Sequence, residues 1–132
     1  MRPDRISFSI GGYFGGYIEL KSARGGLLYS KTGEGLKEPE RFQFVNPSPL
    51  QRSEFWQAME RIGVWTWLAD YSTPDVLGGT TWTLHLQHGK RQLKTCGENG
   101  YPGGDGSEYS PTGDFAQLLR ELELLSGIGG IE

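Results

Sequence analysis

The chain aligns with itself when it is shifted by 64 positions, and this internal repeat constrains its fold more than any other sequence feature. Residues 16–25 then fall on residues 80–89 without a gap. Each copy has the pattern of a hairpin followed by a loop and a helix. We therefore predict one domain over residues 1–132, built from a pseudo-repeat at residues 5–63 and another at residues 64–127.

Glycine pairs and alternating residues predict most of the strands. The 21 glycines are about twice the usual share, and many occur in pairs, which suits tight hairpin turns with positive φ. Alternation over residues 41–45 predicts that Phe42 and Phe44 face the core. The predicted strands cover residues 5–10, 17–22, 27–32, 41–45, 64–70, 80–87 and 91–96.

Two helices are predicted from their capping residues and apolar stripes. Ser48 is placed to cap the first helix, Pro49 suits its first position, and Gln51 completes a capping box. Gly63 is placed to end it in the left-handed conformation. A second helix is predicted over residues 114–126. Its apolar stripe contains Phe115, Leu118, Leu119, Leu122 and Leu125.

These elements predict an α+β fold, an antiparallel sheet with both helices on one face. Each helix has a single apolar stripe, and two helices are too few to cover both faces of such a sheet. We expect the other face to be solvated, twisted on itself, or held against a partner.

Composition limits the function classes that the chain supports. Its net charge is −3, with about +2 in residues 1–66 and −5 in residues 67–132. An acidic chain without a run of basic residues does not favour a nucleic-acid partner or an anionic membrane surface. Cys96 is the single cysteine, which excludes an intrachain disulfide. Without an apolar leader or a long apolar run, we expect a cytoplasmic protein.

The glycine-rich segment at residues 97–113 is the leading candidate site. Loops of that length are usually binding loops or disordered. Tyrosines anchor interfaces, and carboxylates steer a basic partner toward them. We expect Asp70 and Tyr71 to lie close by. The predicted partner-binding residues are Asp70, Tyr71, Glu98, Tyr101, Asp105, Glu108 and Tyr109.

The sequence is also compatible with other kinds of site. Cys96 and His85 are expected to lie diagonally on one face of the second hairpin, which allows a thiol nucleophile. His85 and His88 should face opposite sides, so we predict no metal site, and no cofactor motif is present. Trp65 and Trp67 share one side of the predicted strand, either as core or as an exposed binding pair. A small-molecule site between the sheet and the loop is a further alternative.

The second half of the chain contains a residue pattern that resembles a known class of protein. Trp82-x-Leu84, Gly97-x-Asn99-x-Tyr101-Pro102 and Phe115-x-x-Leu118-Leu119 together form a pattern over about residues 80–125. The pattern resembles small bacterial proteins of the immunity type from polymorphic toxin systems. The resemblance implies a cytoplasmic, acidic inhibitor, and it carries no catalytic motif.

The leading hypothesis from the sequence is a non-enzymatic binding protein that blocks a toxin with a basic surface. Its rivals are the small-molecule module and a hydrolase or transferase that uses Cys96 and His85. A homodimer through the open face of the sheet is compatible with each of these functions.

Overall fold

A computed structural model describes residues 4–12, 16–33, 41–71, 80–98 and 113–128. These residues form an α+β fold. The strands are β1 (Arg5–Gly12), β2 (Tyr17–Ala23), β3 (Gly26–Thr32), β4 (Arg41–Val45), β5 (Thr80–His88) and β6 (Arg91–Glu98). The helices are α1 (Pro49–Ile62) and α2 (Gly113–Ser126), and a short 3-10 helix covers Val64–Thr66.

The six strands form one sheet in the order β4-β3-β2-β1-β5-β6. Each neighbouring pair is antiparallel. β1 therefore lies in the interior of the sheet, and the two hairpins β2–β3 and β5–β6 lie on either side of it. The antiparallel sheet predicted from the sequence is confirmed.

The β2–β3 hairpin turns at Arg24 and Gly25, as the glycine pair indicated. Both residues have positive φ, 50° for Arg24 and 81° for Gly25. Two successive residues in this region are characteristic of the type I′ turn, whose twist matches that of a two-stranded hairpin.

Helix α1 is capped as its sequence predicted. The Ser48 hydroxyl accepts a hydrogen bond from the Gln51 N–H at 3.1 Å. The Gln51 side chain in turn accepts one from the Ser48 N–H at 2.8 Å. Gly63 ends the helix with φ 82°. The reciprocal bonds satisfy backbone donors that the first turn would otherwise leave unpaired.

The core lies between the two helices and one face of the sheet. From α2, Phe115 packs against Phe8 of β1 and Trp82 of β5, with ring centroids 6.3 and 4.7 Å away. Phe55 and Met59 bring α1 into the same cluster. All five residues are at most 1% exposed. The predicted α2 stripe is also confirmed, since each of its five members is buried.

The structure corrects the prediction of a strand over residues 64–70. Val64–Thr66 forms a 3-10 turn, closed by hydrogen bonds from Thr66 N–H to Gly63 O and from Trp67 N–H to Val64 O. Such tightening is common where a helix ends. A single parallel bridge between Asp70 and Cys96 is the only strand-like contact that the segment makes within the described chain.

Beyond α2, Ile128 is 6% exposed and belongs to the core. The tandem strand-strand-strand-helix repeat is not confirmed, because the segment that should open the second copy is not a strand. Neither described helix combines the length and the apolar character needed to cross a membrane.

Candidate functional site

The candidate site is the sheet face opposite the helices, which we call the open face. Strand alternation separates it from the core, because neighbouring residues point to opposite sides. Trp82 and Leu84 are buried under the helices, whereas Thr83 between them is exposed. Ser9 of β1 is directly paired with Thr83, and their hydroxyls are hydrogen-bonded. Small polar side chains thus occupy the centre of the open face. Thr83 is exposed and Ser9 is only 6% exposed, and neither described helix lies over them.

An aromatic patch lies on the β4 side of this face. Phe42 is 62% exposed, Phe44 50% and Tyr17 44%. In register, Phe44 is opposite the half-buried Leu28 of β3. We define Leu28, Phe42 and Phe44 as the aromatic patch; Tyr17 lies on the same face but two strands away, on β2. Exposed apolar residues that are grouped in this way on a monomer often mark an interaction surface.

The prediction that Phe42 and Phe44 face the core is therefore wrong. β4 is an edge strand, and its register pairs Gln43, not a phenylalanine, with the buried Tyr29. A strand has two faces, and a shift of one residue exchanges them. The alternation identified the apolar face of β4 correctly, but that face is turned away from the helices.

Two glycines lie beneath exposed aromatic rings of the open face. A Cβ atom added to Gly26 would lie 2.7 Å from the Phe44 ring and 2.5 Å from Val45 O. A Cβ atom added to Gly11 would lie 2.8 Å from the Tyr17 ring. Both rings thus rest on backbone that lacks a side chain. Contacts of this kind limit the conformations of the rings before any partner arrives, which lowers the entropy cost of binding.

An acidic corner, formed by Asp70 and Glu98, lies at the β6 side. Both residues are exposed. The backbone near Asp70 is fixed to β6 by hydrogen bonds from Cys96 N–H to Ala69 O at 3.2 Å and from Tyr71 N–H to Cys96 O at 2.8 Å. These bonds place Asp70 beside Cys96, and Glu98 follows Cys96 by two residues in β6. The structure thus brings together two of the acids that the sequence predicted.

Tyr71 has mainly a packing role at this corner. Its ring lies 6.1 Å from that of Trp82, and its hydroxyl accepts a hydrogen bond from the Leu68 N–H at 2.8 Å. The remaining predicted contact residues lie outside the described residues. They are Tyr101, Asp105, Glu108 and Tyr109. The alternative of a small-molecule site between the sheet and that loop also lies outside the described residues.

The pair of Cys96 and His85 lies on the open face as expected. Cys96 is opposite Thr83, and His85 is opposite Lys94, so the two residues are diagonal neighbours. A shallow pocket of about 290 Å³ includes both. Within the described chain, however, they make no hydrogen bond to each other. His85 Nε2 lies 3.0 Å from the Gln92 amide, and the thiol approaches Ala69 O at 3.8 Å.

The electrostatics of His85 do not complete a catalytic dyad. Burial, followed by the positive charges of Lys94 and Arg5, lowers the pKa of His85 below 6.5. The imidazole is therefore neutral near pH 7, and among the described residues no carboxylate orients it. Nor do the described residues contain a group of three or more His, Cys, Asp or Glu side chains that could hold a metal ion.

The tryptophans do not form the exposed aromatic pair. Trp65 and Trp67 are half-buried and pack against the core. Trp65 stacks with Trp56 of α1 at 6.2 Å, and Trp56 stacks on His88 at 4.4 Å. This stack links the end of α1 to the β5–β6 turn. His88 is thus directed away from His85, as their spacing predicted.

Comparisons with known proteins do not assign a function to this surface. The sequence matches no described protein-family model, and no curated protein is significantly similar to it. The function is therefore inferred from the geometry of the open face.

Proposed function

We propose that this protein is a non-enzymatic binding protein whose protein partner docks on the open face of the sheet. The observation that carries the proposal is the aromatic patch, in which Phe42 and Phe44 are at least half exposed on a face that no described helix covers. Aromatic side chains contribute disproportionately to protein interfaces because they bury a large area at a low entropy cost.

The dimensions of the open face suit a protein partner. Strands about 4.8 Å apart make a six-stranded sheet about 25 Å wide, and strands of this length extend about 20 Å. The flat area is about 500 Å², and side chains increase it toward the roughly 800 Å² that each partner contributes to a standard interface. The pocket of about 290 Å³ around Cys96 is lined by residues of β1, β5 and β6 and by Ala69, so it occupies only part of this surface.

Charge supports a basic partner at one end of the face. Asp70 and Glu98 add exposed carboxylates at the β6 side, while the Glu19 carboxylate near the centre is paired with Lys21 at 3.2 Å. The aromatic patch and the acidic corner lie at opposite sides of the face. The patch would anchor the partner, and the acidic corner would increase its association rate. We extend the proposal to a cytoplasmic, immunity-type inhibitor of a toxin, on the sequence resemblance over residues 80–125.

Partner capture with matched variants tests this proposal. The variant Phe42→Thr/Phe44→Thr removes the rings but keeps β-branched residues that suit a strand. Leu50→Gln/Leu124→Gln is the control, because Leu50 and Leu124 are 68% and 61% exposed on the helices. Tagged wild type, variant and control would be compared in host lysate by quantitative mass spectrometry.

We expect one stoichiometric protein to be captured by wild type and by the helix control but lost with the strand variant. Purified, that protein should be a toxin whose activity the wild type inhibits. Equal capture by the strand variant and the wild type would contradict docking on the open face. Capture of a partner without toxic activity would retain the binding site and overturn the immunity function.

A further inference from the structure

A second surface lies at the end of the sheet where the β2–β3 hairpin turns. There a cavity of about 580 Å³ separates this turn from the start of β1 and from α1. We call it the turn-end groove. Its lining includes three arginines from distant parts of the sequence, Arg5, Arg24 and Arg52, and one acidic residue, Asp4. The fold thus assembles a basic site that no run of the sequence contains.

Arg52 is held in place by neutral groups of the protein. Its Nε donates to Pro47 O at 3.1 Å, and its Nη2 donates to Gly25 O at 2.6 Å and to Asn46 Oδ1 at 3.0 Å. None of these acceptors carries a charge. Nη1 makes no hydrogen bond within the described chain. The side chain is therefore ordered before binding and retains its full positive charge, a favourable arrangement for an oxyanion.

Arg24 occupies a backbone conformation that most side chains avoid. Its φ of 50° is the only positive value of a non-glycine residue in the described chain. Left-handed backbone is costly for a residue with a Cβ atom, and backbone outliers of this kind concentrate at functional sites. A glycine at this turn position would avoid the cost, whereas the arginine adds a charge at the rim of the groove.

The single acid in the lining does not neutralise the arginines. Asp4 Oδ1 lies 3.0 Å from Nδ1 of His88. Neither Arg5 nor Arg24 forms an ion pair with a described carboxylate. Three arginines and one acid therefore contribute to this lining, and the acid already has a partner. Such an imbalance favours an anionic ligand over a cation or a neutral one.

We propose that the turn-end groove binds a phosphate group between Arg5, Arg24 and Arg52. A guanidinium group is planar and can donate two hydrogen bonds at once to two oxygens of a phosphate group. Trp56 lies in an adjoining cavity, but His88 and Trp65 stack with it. Its ring is thus already stacked within the protein, and the simplest ligands that fit the proposal are a free phosphate and a small phosphate monoester.

Titration by NMR tests the site with two probes, inorganic phosphate and glycerol 3-phosphate. Ionic strength is kept constant with sodium chloride, because screening alone would shift exposed charges. We expect saturable amide shifts at Arg5 and at residues 24–26. Tighter binding of one probe identifies a free phosphate or a monoester as the preferred ligand. The absence of saturation with both probes would overturn the proposal.

Variants make the test specific. Arg24→Gln should weaken binding about 10- to 100-fold, the effect of losing one charged hydrogen bond, and Arg5→Gln/Arg24→Gln should abolish it. The control Arg120→Gln changes the net charge equally on the exposed side of α2. Equal weakening by Arg120→Gln and Arg24→Gln would reduce the site to general attraction and refute it. The Phe42→Thr variant, which leaves the Phe44 ring beside Gly26 in place, should still bind phosphate, which separates this site from docking on the open face.

Discussion

The two faces of the sheet are built from the same strands and serve opposite purposes. On the covered face, Phe8, Leu20 and Leu86 are completely buried under the helices. On the open face, Ser7, Thr83 and Lys94 occupy neighbouring positions and remain at least partly accessible. The covered face supplies the free energy of folding by removing apolar area from water. The open face contributes little of that free energy, so its side chains can serve binding without a large cost in stability.

The exposed aromatic residues are not a by-product of a poorly filled core. The covered face is closely packed around Phe115 without them. Phe42 and Phe44 are instead concentrated on the open side of a single edge strand. We therefore expect substitutions on the covered face to change stability, and substitutions on the open face to change binding.

The largest effect is expected for Phe115→Ala. This side chain is fully buried between Phe8 and Trp82, so its removal leaves a cavity and should lower the free energy of unfolding by about 3–5 kcal/mol. Denaturation in urea measures the loss. Leu124→Ala on the same helix, at a position 61% exposed, should cost less than about 1 kcal/mol. Equal losses for the two variants would contradict the assignment of the covered face.

Gly26→Ala is expected to have the next largest effect. The added methyl group would meet Val45 O at 2.5 Å and the Phe44 ring at 2.7 Å. Relief requires β3 and β4 to separate, which should lower the free energy of unfolding by about 1–3 kcal/mol. Urea denaturation gives the change, and a shift of the Phe44 ring resonances would identify its origin. An unchanged stability would mean that the ring does not rest on this glycine.

A smaller effect on stability is expected for Phe42→Thr/Phe44→Thr. Because both rings are at least half exposed, the free energy of unfolding should fall by less than about 1 kcal/mol. The same urea experiment measures it. A loss as large as that of Phe115→Ala would place these rings in the core and remove the distinction between the faces.

The smallest expected effect concerns the pH dependence of stability through His85. Its pKa is lowered in the folded protein, first by burial and then by Lys94 and Arg5. The unfolded chain therefore binds the proton first as the pH falls below about 6.5, and folding becomes less favourable there. Well above pH 6.5 both states are neutral at this residue, and His85 contributes no pH dependence.

The variant His85→Gln should remove this component. Denaturation at pH values from 7.5 down to about 5, compared between wild type and variant, would isolate it from the other titrating groups. We expect the two proteins to differ increasingly below pH 6.5, with the wild type losing more stability. Parallel curves would show that His85 titrates alike in both states.

Local signals in the sequence were sufficient for the helices and hairpins. The capping box of Ser48 and Gln51 involves residues three positions apart, and the turn at Arg24-Gly25 involves adjacent ones. Their physics is short-range, so the sequence contains all of it. The apolar stripe of α2 is also a property of one segment, and each of its residues is buried as predicted.

The sites depended on long-range pairing that periodicity does not encode. Alternation cannot say which face of β4 meets the core, because the answer is set by its pairing with β3. The segment that contains Trp65 and Trp67 has the alternation of a strand, but it forms a 3-10 turn. Alternation alone does not make a strand, because a strand also needs a hydrogen-bonded neighbour. Arg5, Arg24 and Arg52 are far apart in the chain, so only the folded structure brings them to one cavity.

The most direct test of the central claim is site-specific photo-crosslinking in the native host. The photoreactive residue p-benzoylphenylalanine would replace Phe42 on the open face in one strain and Leu124 on α2 in another, two positions with similar exposure. Docking on the open face predicts one discrete crosslinked protein from position 42 and none from position 124. A crosslink from position 124 alone, or from neither position, would contradict it.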